Sequence, residues 1–104
     1  MNKINILVIA SHPEILGTIL RLINKNELWN GVGAGAAEEA VAVFGSDKFE
    51  LVLFGVGVDD ETGRQLLQTF KSLNPDVICI RHFGGGSGLL TAEIYEALRE
   101  RDKS

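Results

Sequence analysis

Runs of consecutive apolar residues alternate along the chain with segments whose apolar residues recur every three or four positions. Residues 4–10, 49–56 and 77–80 form three strongly apolar runs, and Trp29–Ala34 is a weaker run interrupted by glycine. Continuous apolar runs of this length are typical of strands that are buried on both faces of a parallel sheet. The pattern therefore predicts four strands.

The segments between these runs show the spacing of helices that bury one face. After Pro13, a residue suited to a first helical turn, the apolar residues follow one helical stripe, and Ser11 or His12 stands at the cap position. The same spacing predicts helices over residues 36–44, 62–73 and about 91–101. We interpret the acidic residues 59–61 as a loop and expect residues 88–90 to form at most a short strand.

The predicted order is β-α-β-α-β-α-β-loop-α, within a single domain over residues 1–104. Strands that alternate with helices favour right-handed crossovers and a parallel sheet that is covered on both faces. The fold class is therefore α/β, a three-layer sandwich around a sheet of four to five strands.

Composition and charge narrow the classes of function. Ten Lys and Arg residues against fourteen Asp and Glu residues give a net charge of −4, without a basic block, which disfavours nucleic-acid binding. Cys79 is the only cysteine, so neither an internal disulfide nor a CxxC pair is possible. No apolar run approaches the about 20 residues that cross a bilayer, and no leader is visible, so we expect a cytoplasmic protein without a membrane partner.

From about residue 3 to residue 82 the sequence resembles a receiver domain of the response regulators of two-component signalling. Residues 6–23 (ILVIASHPEILGTILRLI) match the family's first strand and helix, and residues 35–41 (GAAEEAV) match the start of its second helix. Residues 49–80 match the third strand, third helix and fourth strand without a gap; Gly63 falls on a loop glycine, and residues 74–76 (NPD) on a turn. The resemblance implies a flavodoxin-like α/β/α sandwich with strand order 2-1-3-4-5.

The resemblance also locates the family's chemistry, and the acidic residues are not there. The phosphoacceptor Asp aligns with Gly55, the acidic pair that holds Mg²⁺ with Ala10 and Ser11, and the switch Ser/Thr with Arg81. Phosphoryl transfer to a carboxylate needs that carboxylate and a divalent ion held by hard oxygen ligands. We therefore expect no metal, no cofactor, no enzymatic activity and no phosphorylation switch.

A full receiver domain continues beyond its fourth strand with a helix, a strand and a last helix, whereas about 22 residues follow His82 here. We expect the fifth strand to be short or absent, which leaves an uncovered edge or patch beside the fourth strand. An open apolar surface of this kind favours association. The sequence therefore predicts a homodimer or a fixed protein partner on the side of the fourth strand and last helix.

The most unusual stretch is the glycine-rich segment at the end of the fourth strand. Glycines admit backbone N–H groups to an anion, and an arginine fork suits phosphate. One hypothesis is a phosphate or nucleotide ligand at the carboxyl edge of the sheet. Its candidate residues are Arg81, His82, Gly84, Gly85, Gly86, Ser87 and His12. The alternative is a flexible connection that replaces the missing helix.

The sequence leaves more than one possible role for several further residues. His12 and His82 form either a titrating or metal-binding pair or ordinary loop histidines. Asp59 is a third-choice phosphoacceptor, because it lies four residues beyond Gly55. Trp29 is either a partner contact or part of the core. The function we expect is a phosphorylation-independent interaction or regulatory module in bacterial signal transduction.

Overall fold

The computed structural model describes residues 3–55, 57–81 and 87–103. Helices and strands alternate in the predicted order. They are β1 (Ile4–Ile9), α1 (Pro13–Asn24), β2 (Trp29–Ala34), α2 (Ala37–Ser46), β3 (Leu51–Phe54), α3 (Asp60–Leu73), β4 (Ile78–Arg81) and α4 (Ser87–Lys103).

The four strands form one parallel sheet in the order β2-β1-β3-β4. This is the predicted flavodoxin-like arrangement, and the described residues contain no fifth strand. The sequence predicts a fifth strand that is short or absent, and residues 88–90 belong to α4 instead. Leu90 buries its side chain with Ile94 and Leu98, and this spacing of four continues the helical stripe one turn further back than predicted.

Alternation along the central strands divides their apolar side chains between two cores. On one face, Ile6, Val8 and Leu53 pack beneath α1 and α4. On the other face, Val52 and Phe54 pack beneath α2 and α3. The central strands are therefore buried on both sides, as the continuous apolar runs predict.

An aromatic residue anchors each core. Phe70, on the buried face of α3, has its ring 4.5 Å from the ring of Phe44, measured between centroids. On the opposite face Trp29 is 2% exposed, and its ring lies 4.9 Å from that of Tyr95 on α4. Trp29 is therefore a core residue, which is one of the two roles left open by the sequence.

The helix ends follow local capping. His12 is the N-cap of α1, and its Nδ1 accepts a hydrogen bond from the backbone N–H of Ile15 at 3.4 Å. Asp59 is the N-cap of α3, so the helix begins at Asp60 and takes in most of the acidic stretch that we interpreted as a loop. Acidic residues are favourable in a first helical turn, where the helix dipole is positive.

The glycines of β2 let α1 approach the sheet closely. A Cβ atom on Gly33 would lie 2.7 Å from Cδ1 of Leu20 and 3.2 Å from Cδ1 of Leu16. A Cβ on Gly31 would lie 3.0 Å from Cγ2 of Ile23. What looks like a weak strand in the sequence is therefore a strand whose missing side chains are replaced by those of the helix above it.

We expect Gly33→Val to lower the free energy of unfolding by about 1–3 kcal/mol, because its branched side chain would overpack the interface with α1. Gly17→Ala is the matched control, since nothing lies within 4 Å of a Cβ at that exposed helical position. This change should raise stability by about 0.5–1 kcal/mol. Urea denaturation measures both; equal effects of the two substitutions would contradict the close packing of α1 on β2.

Candidate functional site

The carboxyl edge of the sheet brings together three of the positions singled out in the sequence. Ile9 of β1 is in register with Phe54 of β3, which is in register with Arg81 of β4. Gly55 follows directly and donates its N–H to the carbonyl oxygen of Ile9 at 2.7 Å. Ala10, fully buried, is the residue after β1. The sequence predicts that His12, Gly55 and Arg81 lie at this edge, and the structure places Gly55 and Arg81 there, at the ends of neighbouring strands.

The space around Gly55 is closely filled. A Cβ atom built there would lie 3.1 Å from the carbonyl oxygen of Ile9 and 3.2 Å from Cβ of Ala10. Both neighbours belong to the end of β1. A side chain at this position would need them to shift by a few tenths of an ångström.

The loops after β1 and β3 also approach each other closely. Gly57 has a φ of 93°, a left-handed conformation that favours glycine. A Cβ on Gly57 would lie only 1.6 Å from Oγ of Ser11, so the serine side chain occupies the place that a larger residue would take.

The remaining candidates for the ligand hypothesis are only partly described. His12 is exposed, and its imidazole caps α1. Ser87 begins α4. His82, Gly84, Gly85 and Gly86 lie outside the described residues, so the pairing of the two histidines and the role of the glycine segment stay predictions.

Arg81 turns back over the start of α3. Its Nη1 donates a hydrogen bond to the carbonyl oxygen of Val58 at 2.8 Å, and its Nη2 lies 3.9 Å from Oδ1 of the exposed Asp60. The guanidinium carbon stands 5.9 Å from the centroid of the Phe54 ring, within the range of a cation–π contact. The arginine thus links the end of β4 to the loop before α3.

Gly63 makes this arrangement possible. It lies in the first turns of α3, and a Cβ there would come within 2.7 Å of Nη2 of Arg81. The resemblance placed Gly63 on a loop, whereas the structure places it in the helix. Its packing role depends on Arg81, a contact that the sequence alone does not reveal.

Asp59, the alternative phosphoacceptor, is engaged at the N-terminus of α3. Its Oδ1 accepts a hydrogen bond from the backbone N–H of Thr62 at 2.7 Å. That bond is the main reason why the pKa of the Asp59 carboxyl is held below its usual value. The carboxylate is fully exposed.

Two kinds of site can be excluded for the part of the chain that the structure describes. There, no group of three or more His, Cys, Asp or Glu side chains is placed to hold a metal ion. None of the described helices has the length and apolar character needed to span a membrane.

Among the described residues, no strand pairs with the outer side of β4. All four residues of β4 are half-buried, in contrast to the fully buried residues of β3. A groove of about 1020 Å³ runs along this edge. It is lined by residues from β4, by Lys71 and Asn74 at the end of α3, and by Glu93, Glu96 and Glu100 of α4.

The three glutamates were not singled out by the sequence analysis. Each follows the helical repeat at spacings of three and four and therefore falls on one side of α4, next to the stripe of Ile94 and Leu98. The signal that would have found them is this acidic stripe on the flank of the last helix.

Cys79 lies on the same open strand as a free, half-buried thiol. Burial raises the pKa of the Cys79 thiol to about 11, and the positive charge of Lys71 opposes this rise only in part. The thiol is therefore protonated at neutral pH and is a poor nucleophile. This agrees with the small apolar role expected of a cysteine in an apolar strand.

Comparisons with known proteins identify the fold. No protein-family model matches the sequence, and no curated protein matches it. Among solved structures, the chain is similar to a CheY-like response regulator receiver domain from Methanospirillum hungatei JF-1, with a TM-score of 0.81 and 21% identity over 98% of each chain.

Two further solved structures show the same likeness. A response regulator receiver domain from Clostridium thermocellum has a TM-score of 0.71 and 16% identity, over 97% of this chain and 99% of that one. The signal receiver domain of an HD domain-containing protein from Pseudomonas fluorescens Pf-5 has a TM-score of 0.70 and 15% identity, over 99% and 100%. The chain therefore has the fold of response-regulator receiver domains, as the resemblance of its sequence implies.

We expect Arg81→Ala to lower the free energy of unfolding by about 1–2 kcal/mol, because it removes a charge-assisted hydrogen bond and a cation–π contact. Arg64→Ala, on the exposed side of α3, is the control and should change stability by less than about 0.5 kcal/mol. Chemical denaturation of both variants measures these changes in the free energy of unfolding. An Arg81→Ala variant as stable as the parent protein would show that this guanidinium does not support the fold.

We expect iodoacetamide to alkylate Cys79 in the native protein at pH 8 on the order of 100-fold more slowly than in the urea-unfolded chain, because the raised pKa of the thiol suppresses the thiolate. Intact mass over time measures the alkylation. Similar rates of alkylation in the native and unfolded protein would contradict the burial of the thiol.

The free energy of unfolding should fall as the pH rises from about 9 to about 11. In this range the unfolded thiol, with its usual pKa of 9.0, loses a proton that the folded thiol keeps.

Proposed function

We propose that this chain is a receiver-like domain that acts in two-component signalling through protein contacts, without a phosphorylation switch. The observation that carries the proposal is the position of Gly55 at the end of β3, closely packed against Ile9 and Ala10. By resemblance, this is the position of the residue that would take the phosphoryl group.

The chemistry of an aspartyl phosphate supports the proposal. The acceptor must be a carboxylate, and a divalent ion must gather the phosphate and acceptor oxygens. Ala10, Ser11 and Gly55 offer a methyl group, a hydroxyl group and a hydrogen atom in place of three carboxylates. Mg²⁺ needs several hard oxygen ligands in octahedral geometry, which a single hydroxyl does not provide.

The contact between the loops after β1 and β3 points in the same direction. Oγ of Ser11 lies where a Cβ on Gly57 would be, so a hydroxyl group and a glycine meet beside the end of β3 and neither supplies a carboxylate.

Asp59 is a poor substitute for the acceptor. Its carboxylate is bound to the first turn of α3, and it lies four residues beyond Gly55. Phosphorylation there would replace a helix cap without a cation site beside it. We therefore rank phosphorylation of Asp59 below the phosphorylation-independent function.

A phosphate or nucleotide ligand at Arg81 is the competing proposal. The hydrogen bond of Arg81 to Val58 and its contact with Phe54 disfavour it, because the guanidinium is already engaged within the fold. A ligand that binds the native state would raise the apparent stability. A thermal shift with inorganic phosphate or a nucleotide that is lost in Arg81→Ala would favour this alternative.

The surface through which such a module would act is the side of β4 and α4. Among the described residues the sheet ends at β4, where the half-buried apolar residues Ile78, Cys79 and Ile80 line the groove. Exposed apolar strand edges are places where another chain can pair. We propose that a protein partner or a second copy covers this side, as the sequence predicts.

Treatment with acetyl phosphate and Mg²⁺, followed by intact mass spectrometry, tests the function. We expect no stable gain of a phosphoryl group, because no carboxylate stands at the end of β3. A receiver domain with its acceptor Asp, treated in parallel, is the positive control. The Asp59→Asn variant of this chain, treated in the same way, tests whether Asp59 accepts the phosphoryl group.

The outcomes separate the hypotheses. A phosphoryl adduct that is sensitive to hydroxylamine and persists in Asp59→Asn would overturn the proposed function and would point to a carboxylate other than Asp59. An adduct that disappears in Asp59→Asn would identify Asp59 as the acceptor and would equally overturn it. An unchanged mass, with a labelled positive control, supports a domain without a phosphorylation switch.

A further inference from the structure

The outer edge of β4 offers backbone hydrogen-bonding groups to a partner. Within the described part of the chain, β4 is the last strand of the sheet and pairs only with β3. Ile78 donates its N–H to the carbonyl oxygen of Glu50, toward β3. Because peptide groups alternate in direction along a strand, the N–H and C=O of Cys79 point away from β3, into the groove.

The groove has two walls of different charge. Glu93, Glu96 and Glu100 of α4 form one wall, and Lys71 with the turn after α3 contributes to the other. The amino group of Lys71 is bound to the carbonyl oxygen of Val77, at the start of β4. Among the side chains that the structure describes, those of α4 that line the groove are thus acidic apart from Ala97.

The negative charge of the α4 wall favours a basic strand over a second copy of this chain as the occupant of the groove. An antiparallel pairing of β4 with a second copy, related by a two-fold axis, would set the two α4 helices side by side on one face of the joined sheet. Their glutamate stripes would then face each other, and like charges in an interface are unfavourable. A strand with basic side chains meets the opposite charge at the same place.

We propose that β4 accepts an added strand from a partner polypeptide that carries Lys or Arg at alternate positions, on the side facing α4. The inference rests on the proposed function, since it names the kind of partner that the β4 side would take. In strand addition, main-chain hydrogen bonds supply affinity, and alternate side chains supply specificity. Here the specificity comes from the glutamates of α4.

A fluorescent peptide of about seven residues, with Lys at alternate positions and Val or Thr between them, tests the proposal. We expect micromolar binding by fluorescence anisotropy that weakens as salt is added. Glu96→Lys with Glu100→Lys should weaken binding about tenfold or more, because two attractive contacts become repulsive. Glu27→Lys with Glu38→Lys is the control: it changes net charge equally at exposed sites away from the groove, and it should leave binding within about twofold.

Backbone methylation distinguishes strand addition from attraction between charges. Residues of an added strand point their N–H groups alternately toward and away from β4, so N-methylation of only one of the two alternating sets should abolish binding. The bound peptide should also slow hydrogen exchange at the Cys79 amide. Equal binding of both methylated peptides, or binding of a peptide with Glu in place of Lys, would overturn the proposal.

Failure of this inference is distinct from failure of the proposed function. If the basic peptide does not bind and the protein sediments as a dimer that Cys79→Pro disrupts, the occupant of the β4 edge is a second copy and the inference is wrong. If the peptide does not bind and the protein is a monomer, the inference is again wrong. In both cases the absence of a phosphoryl adduct would leave the proposed function standing.

Discussion

The burial of β1 and β3 between two layers of helices is the constraint on which the rest of the molecule depends. Their side chains serve both cores, so polar chemistry is restricted to the positions after each strand ends. At those positions the chain has Ala10 and Gly55, both of which pack rather than react. The core continues into the place where an α/β sheet commonly binds its ligand.

Much of this arrangement could be predicted from the sequence because it follows from periodicity. Uninterrupted apolar runs predict the central strands, and the ends of parallel strands predict that His12, Gly55 and Arg81 lie at one edge. The direction of the Arg81 side chain could not be predicted, since it depends on the space left by Gly63 and on the carbonyl of Val58, which are distant in sequence. The start of α4 was misjudged because glycine and serine precede its apolar stripe and weaken the helical signal.

The difference between local and tertiary information also explains why β2 looks weak in the sequence and yet forms a strand in the fold. Its glycines reduce strand propensity, and by propensity alone it is a weak strand. In the fold, Leu16 and Leu20 of α1 occupy the space above Gly33. The cost in backbone entropy is therefore offset by closer packing of a helix with a strong apolar face, a relation that no window of neighbouring residues contains.

The carboxyl edge of the sheet and the flank of β4 differ in a way that bears on signalling. At the carboxyl edge, Oγ of Ser11 lies where a Cβ on Gly57 would be, whereas among the described residues no strand pairs with the outer edge of β4, which lies beside the glutamates of α4. We therefore propose contact with another polypeptide, rather than reaction with a phosphodonor, as the way in which this domain acts. The glutamates also limit indiscriminate pairing, because charge beside an exposed edge discourages association with further copies of the same chain. Selectivity for a basic strand and resistance to self-association thus follow from the same three side chains of α4.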